Sequence, residues 1–250
     1  MTLAEIDLPH IVAGDLLYMV KDAIANQPRT LQQVIGPSEI GACPRKVIHT
    51  LAGTPVPPAR DPAWLAYIGS CVHAGLDSAI THHPINQGMQ PRFLTEHRVN
   101  VGTAGGQEIW GTADVFDLDS GTVGDWKIVG PDRLLHYATH GPGNQYRVQA
   151  HLYGRGFARL GYVVNHVMIL FLPRNGKLDR HHIWAEPYDE TIALDALSRI
   201  DALVELIGVL GKEAVLDLYP PCNDWFCPWC RKPRTTPVRA VPTTTIQLFD

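Results

Sequence analysis

The order of segments predicts an α/β protein. Three observations carry that expectation. Stretches with helical apolar spacing occur at both ends of the chain, two β-prone segments flank a turn cluster near its middle, and helical and strand patterns alternate between them. The chain has 250 residues, 45% of them apolar and 18% charged, which suits one well-packed large domain or a domain with a small appendage. No apolar run is long enough to span a bilayer. The first residues, MTLAEIDLPH, lack the basic region and apolar core of a secretion signal, so a cytoplasmic location is expected. A formal net charge of −4 argues against coating nucleic acid by bulk charge, though it leaves room for an enzyme that grips a few phosphates locally.

Taken in order, residues 11–26 have the spacing of a packing helix. Residues 36–53 (GPSEIGACPRKVIHTLAG) read as a second helix, with Ser38 as N-cap and Gly53 as stop. Residues 54–62 form a proline-rich loop, after which Asp61 caps a helix with Pro62 in its first turn. Trp64, Leu65, Ile68, Val72, Leu76 and Ile80 give that helix its apolar stripe. Cys71 and His73 lie within it and read most simply as core residues. Residues 93–101 (FLTEHRVNV) predict a strand on which Glu96 either approaches the site of the central hairpin or, the simpler reading, is an exposed charge, and Gly105-Gly106 a turn. Residues 131–144 look like a loop. A helix follows to about Leu160, with Gln149 and Tyr153 four apart on one face and Gln145 and Arg147 nearby. Residues 163–172 and 178–186 pair around Arg174-Asn175-Gly176. Asp189 then caps a helix to about Leu210 with Leu194, Leu197, Ile200, Leu203, Val204 and Ile207 on its apolar face.

The central hairpin, residues 107–128, contains the stretch GTADVFDLDSGTVGDWK. Alternation puts Asp125 and Lys127 on one face and Trp126 on the other. A two-residue turn at Asp119-Ser120 sets Asp114 opposite Asp125 on that same face, whereas a slip of one residue turns it away. A divalent cation held by the carboxylates would give this grouping a purpose. Taken alone, however, Asp114 and Asp125 read more simply as charges on a surface hairpin.

Five cysteines in a reducing compartment suggest a metal site more than disulfides. Cys222, Cys227 and Cys230 crowd into nine residues, CNDWFCPWC, as ligands of a metal or cluster. Cys43 is the best remaining candidate for a fourth ligand, because Cys71 lies in an apolar helix. The residues after them, rich in Pro and Thr, read as a tail or docking segment.

These features together resemble the RecB-like branch of the PD-(D/E)xK nucleases. More narrowly, they are similar to iron–sulfur exonucleases related to the CRISPR-associated RecB-like family, which phages carry as stand-alone copies. The resemblance runs from Ser38 to Cys230. Ser-Glu-Ile-Gly-Ala-Cys-Pro-Arg-Lys matches an N-terminal cysteine motif, and Gly69 to His73 a histidine motif. Gly111-Thr-Ala-Asp114 and Asp125-Trp-Lys127 match two acidic motifs, and Gln149 to Tyr153 a glutamine–tyrosine motif. Asp125 stands where some branches carry Glu.

The resemblance implies a restriction-endonuclease-like core, a central mixed β-sheet flanked by helices, with a cysteine-ligated lobe joining the N- and C-terminal segments. It divides the chain into 1–60 (helical, one cluster cysteine), 61–186 (nuclease core), 187–232 (helix and cysteines) and a tail, 233–250. It implies Mg²⁺ or Mn²⁺ on His73, Asp114, Asp125 and the carbonyl of Ile128. Lys127 would serve the attacking water or the growing phosphorane charge, and Gln149 and Tyr153 would hold the site or the strand. Arg45 and Arg147 become candidate phosphate contacts. Cys43, Cys222, Cys227 and Cys230 would hold a 4Fe–4S cluster, with zinc as the other occupant. The expected activity is a metal-dependent DNA exonuclease on single-stranded ends, 5′ to 3′, among recombination or CRISPR-adaptation proteins and away from membranes. The competing expectation is a nucleic-acid-binding adaptor whose nuclease site is vestigial. A zinc hydrolase using the cysteines fails, because four thiolates leave no open position for substrate.

Overall fold

The computed structural model describes residues 8–26, 35–54, 64–222, 224, 227, 229 and 230. A five-stranded mixed sheet of order β1-β2-β3-β4-β5 forms its centre: β1 (Phe93–Ala104), β2 (Gln107–Asp117), β3 (Thr122–Val129), β4 (His166–Pro173) and β5 (His182–Pro187). All neighbours are antiparallel except β3 and β4, which are parallel. That pair needs a crossover. It is made by α5 (Pro131–His140) and α6 (Gly143–Arg159). The other helices are α1 (Leu8–Ala25), α2 (Pro37–Ile40), α3 (Pro44–Leu51), α4 (Trp64–Thr81), α7 (Glu190–Leu210) and α8 (Lys212–Leu218).

α6 is the organising helix. It is buried on all sides from Val148 to Gly154, with Val148, Ala150, Leu152, Tyr153 and Phe157 in the main core, where Phe157 stacks on Phe116 of β2 at 4.3 Å between centroids. α7 packs behind α6, burying Ala193, Ala196, Leu197, Ile200 and Leu203. Leu194 and Val204, assigned to that face by spacing, are exposed. As the sequence predicts, Asp189 caps α7, its carboxylate accepting from the Thr191 amide at 2.9 Å.

Several expectations change. Residues 36–53 form two helices, because the chain turns at Gly41–Cys43 and restarts on Pro44. Ser38 lies inside α2 and is not its cap. A Cβ on Gly41 would stand 2.7 Å from Val148 Cβ and 2.8 Å from the Gln145 carbonyl, so this crossing of α2 over α6 admits only glycine. Residues 131–140 are a helix and not a loop: Gly130 precedes it, Pro131 occupies its first turn and Gly141 ends it at φ +77°. The loop-like residues were its caps. In α1, Ile11, Leu16, Leu17 and Met19 are exposed, and helical spacing alone does not say which surface an apolar face meets. α4 buries none of its residues fully, and Cys71 is exposed rather than core. The proposed cap at Asp61-Pro62, most of the 54–62 loop and the 233–250 tail lie outside the described residues. No described helix is long and apolar enough to cross a membrane.

Two details of the sheet prepare the site. The Gly105-Gly106 turn has φ +59° and +73°, the left-handed geometry that closes a two-residue hairpin. Further down the same hairpin the inward phase slips: Ile109 and Ala113 join the main core, and beyond Asp114 it is Phe116 that does so. Val115 instead lines a separate apolar pocket with Ile80, Phe93, Trp126 and Met168. On β1 the slip coincides with Glu96, a non-glycine residue at φ +45°.

Candidate active site

The pairs Asp117 with Thr122, Phe116 with Val123 and Val115 with Gly124 set the register of β2 on β3. The next position in that register faces Asp114 toward Asp125, as the sequence predicts. There the ladder stops and the strands splay. The Trp126 amide, which the ladder no longer serves, donates instead to Asp114 Oδ2 at 2.7 Å. Asp114 Oδ1 meets His73 Nδ1 of α4 at 3.2 Å. Burial opposes a charge on His73, but the Asp114 hydrogen bond and carboxylate outweigh it and raise the imidazole pKa.

Asp125 is 2% exposed. Its Oδ1 accepts from Gln149 Nε2 at 2.9 Å, and its Oδ2 lies against the Lys127 ammonium in ion-pair contact without hydrogen-bond alignment. Burial pushes the Asp125 carboxyl above its ordinary range; Lys127 works against that shift and Asp114 adds to it. The Lys127 ammonium also sits 5.0 Å from the Tyr146 ring centroid. Gln149 Nε2 reaches the Tyr153 hydroxyl at 3.5 Å, while the buried Gln149 Oε1 has no hydrogen-bond partner among the described residues.

His73, Asp114, Asp125, Lys127, Gln149 and Tyr153 line one cleft of about 600 Å³. Ile128 lines an adjoining recess that shares His73, Lys127 and Gln149 with it. Glu96, read more simply from sequence as an exposed strand charge, is exposed but is not remote. With His73 and Asp114 it offers ligand atoms all within 4.8 Å of one another. Burial first, then Asp114, raises its carboxyl pKa. Left-handed backbone at a non-glycine strand residue is strained, and such strain collects at functional sites. The signal that could have found Glu96 was its register opposite Asp114. Arg45 and Arg147 do not line the cleft. Arg45 Nη1 donates to the carbonyls of Leu216 and Tyr219, each at 2.8 Å, and Arg147 pairs with Glu186 at 2.5 Å.

A second group forms where α3 packs on α8. The thiols of Cys43, Cys222, Cys227 and Cys230 lie within 4.8 Å of one another, Cys43 and Cys230 at 3.4 Å. His49 of α3 stacks on Trp229 at 4.2 Å, a further tie between the two segments. Burial raises the thiol pKa of Cys222 and Cys230; at Cys43 burial is overcome, chiefly by the Lys46 backbone N–H, and the pKa falls.

No family model matches the chain, and no curated protein does. Among solved structures, "Crystal structure of SSO0001" aligns over 88% of this chain and 98% of its own at 19% identity, with a TM-score of 0.48. LHK-Exo in complex with dAMP aligns over 74% and 93% at 11% identity and TM-score 0.45. A phage related exonuclease from Haemophilus somnus 129PT aligns over 79% and 87% at 11% identity and TM-score 0.41. At these scores the likeness is too loose to assign a function.

Proposed function

We propose that the chain is a metal-dependent deoxyribonuclease that hydrolyses phosphodiester bonds at single-stranded DNA ends, 5′ to 3′ by the family resemblance. The observation that carries this reading is a buried Asp125 in contact with Lys127, in the same cleft as the His73–Glu96–Asp114 group. Gathering carboxylates in a partly enclosed cleft is unfavourable without a cation, and carboxylate oxygens with one imidazole suit Mg²⁺ or Mn²⁺. His73, Asp114, Asp125 and the Ile128 carbonyl, with Glu96 beside them, are the residues that would hold it. When bound, the ion would supply charge compensation at the scissile phosphate and acidify the attacking water.

The protein's own groups do the rest. Gln149 fixes the rotamer of Asp125 through Oδ1, and Tyr153 steadies Gln149. Lys127 stands where it can orient a water or offset charge on the phosphorane as the bond from phosphorus to the 3′ oxygen breaks. The expected result with Mn²⁺ and an end-labelled single strand is release of mononucleotides by the wild type. Lys127→Met should cut the rate about 10²–10³-fold with the strand still bound. A wild type that binds the strand in Mn²⁺ and Mg²⁺ without cutting it would leave the adaptor reading.

The four cysteines form a structural metal site in this reading. Four thiols within 4.8 Å of one another form a donor set that suits either a 4Fe–4S cluster or a structural zinc. The visible absorption of anaerobically purified protein separates the two: colourless with zinc, brown with a cluster. DNA-recombination, DNA-repair or CRISPR-adaptation proteins are the partners the resemblance suggests.

A further inference from the structure

The cleft presents a difficulty to its substrate. Asp77, Glu96, Asp114 and Asp125 line it, and the whole chain carries a net charge of −4. A bound cation offsets this only locally, so a strand needs further affinity that does not depend on bulk charge. The mouth of the same cleft holds a candidate source. On β2, Trp110 and Thr112 precede Asp114 in the same alternating phase, and all three line the cleft. Four residues of strand set Trp110 about 14 Å from Asp114 along β2. The residue is 43% exposed.

That ring is held in place. Its Nε1 donates to Glu108 Oε2 at 3.0 Å, and the Arg98 guanidinium of β1 lies over it, 5.1 Å from the centroid. Beside Trp110 the register jumps from Asn100 to Gly102, a bulge that twists the hairpin tip relative to the rest of the sheet. Among the described residues Arg98 has no carboxylate partner, although carboxylates lie two residues away along the cleft. An unneutralised guanidinium fixed on an exposed indole offers a phosphate contact and an aromatic face together.

We propose that Trp110 and Arg98 form a nucleotide subsite: the indole stacks an unpaired base and the guanidinium takes an adjacent phosphate of the strand whose end lies at Asp114. This rests on the nuclease reading and adds a reason for single-stranded ends. A base in a duplex is already stacked on its neighbours, whereas an unpaired one gains from an aromatic platform, and does so with little regard to sequence.

The test is strand affinity in Ca²⁺, measured by anisotropy with a labelled oligonucleotide and with one whose terminal nucleotides are abasic. Trp110→Ala should weaken binding of the ordinary strand about five- to a hundredfold. It should leave the abasic strand unchanged. Trp110→Phe should keep most of the affinity while removing the part of the tryptophan quenching that follows stacking. Unchanged melting temperatures show that the half-exposed site was not holding the fold. Equal losses on both strands, or no loss on either, would overturn the platform. Cleavage of both strands in Mn²⁺ is scored separately. If the wild type cuts neither, the nuclease reading fails, while the binding comparison still decides whether Trp110 stacks a base.

Discussion

The cleft and the cysteine site are built in opposite ways. The cleft's groups come from the middle of the chain, on three strands and the two helices α4 and α6, and their charges restrain one another. The cysteine group closes a span of 187 residues between Cys43 and Cys230, alongside the α3–α8 contact, the Arg45 bonds to the Leu216 and Tyr219 carbonyls and the His49–Trp229 stack. One site presents oxygen and imidazole donors to an open cleft; the other gathers four thiols within 4.8 Å of one another. On the proposed reading, the difference teaches that function and stability are separable here. Damage to the cleft should be read in turnover, and damage to the cysteines in melting temperature.

The most severe way to test that separation is Asp125→Asn. It removes the buried charge between Lys127 and Gln149, and cleavage should fall about a thousandfold with bound metal at the cysteines unchanged by elemental analysis. Next comes Cys43→Ser. If the thiols hold the proposed structural metal, loss of a ligand that closes so long a span should lower stability by about 4 kcal/mol or more, measured by denaturant unfolding. Were that variant to unfold like the wild type, the structural role of the thiols would be lost.

Gly41→Ala sharpens the comparison from between the two sites, because Gly41 lies on the α2–α6 crossing that leads into Cys43. Its new Cβ meets backbone as well as Val148, so a loss of about 1–3 kcal/mol is expected, with cleavage per folded molecule retained. The smallest effect belongs to Asp117, outside both sites. Arg92 holds its carboxyl down to about 2, with help from Ser120. The folded pKa is below the unfolded one, so this contribution is complete above the unfolded value and disappears as pH falls through the folded value. Asp117→Asn should therefore show a slight deficit in melting temperature at neutral pH that closes in acid.

Much of the site was legible because strand geometry is so restrictive. Once the Asp119-Ser120 turn is placed, the period of two allows Asp114 only one partner position, and the observed ladder keeps it. Cys43 was legible by elimination among five cysteines. Glu96 was only half legible: its approach to the site was one of two readings, and alternation could not choose because its φ of +45° breaks the regular backbone that alternation assumes. Trp110 was passed over as well; its signal was its place with Glu108 and Thr112 on the solvent-facing phase of β2. Arg45 and Arg147 look like phosphate contacts in a sequence, but a carbonyl pair and Glu186 had already claimed them. The glycines and prolines around residues 130–142 marked the ends of α5, and sequence spacing does not distinguish a short capped helix from a loop.

The central claim is that the cleft binds a divalent cation through Asp114 and its neighbours and that cleavage depends on it. A Mn²⁺ titration followed by electron paramagnetic resonance, on the wild type and Asp114→Asn with their cysteine sites intact, tests it most directly. The account predicts a Mn²⁺ site in the wild type that is lost or greatly weakened in the variant. Equal Mn²⁺ binding by the two proteins would contradict it.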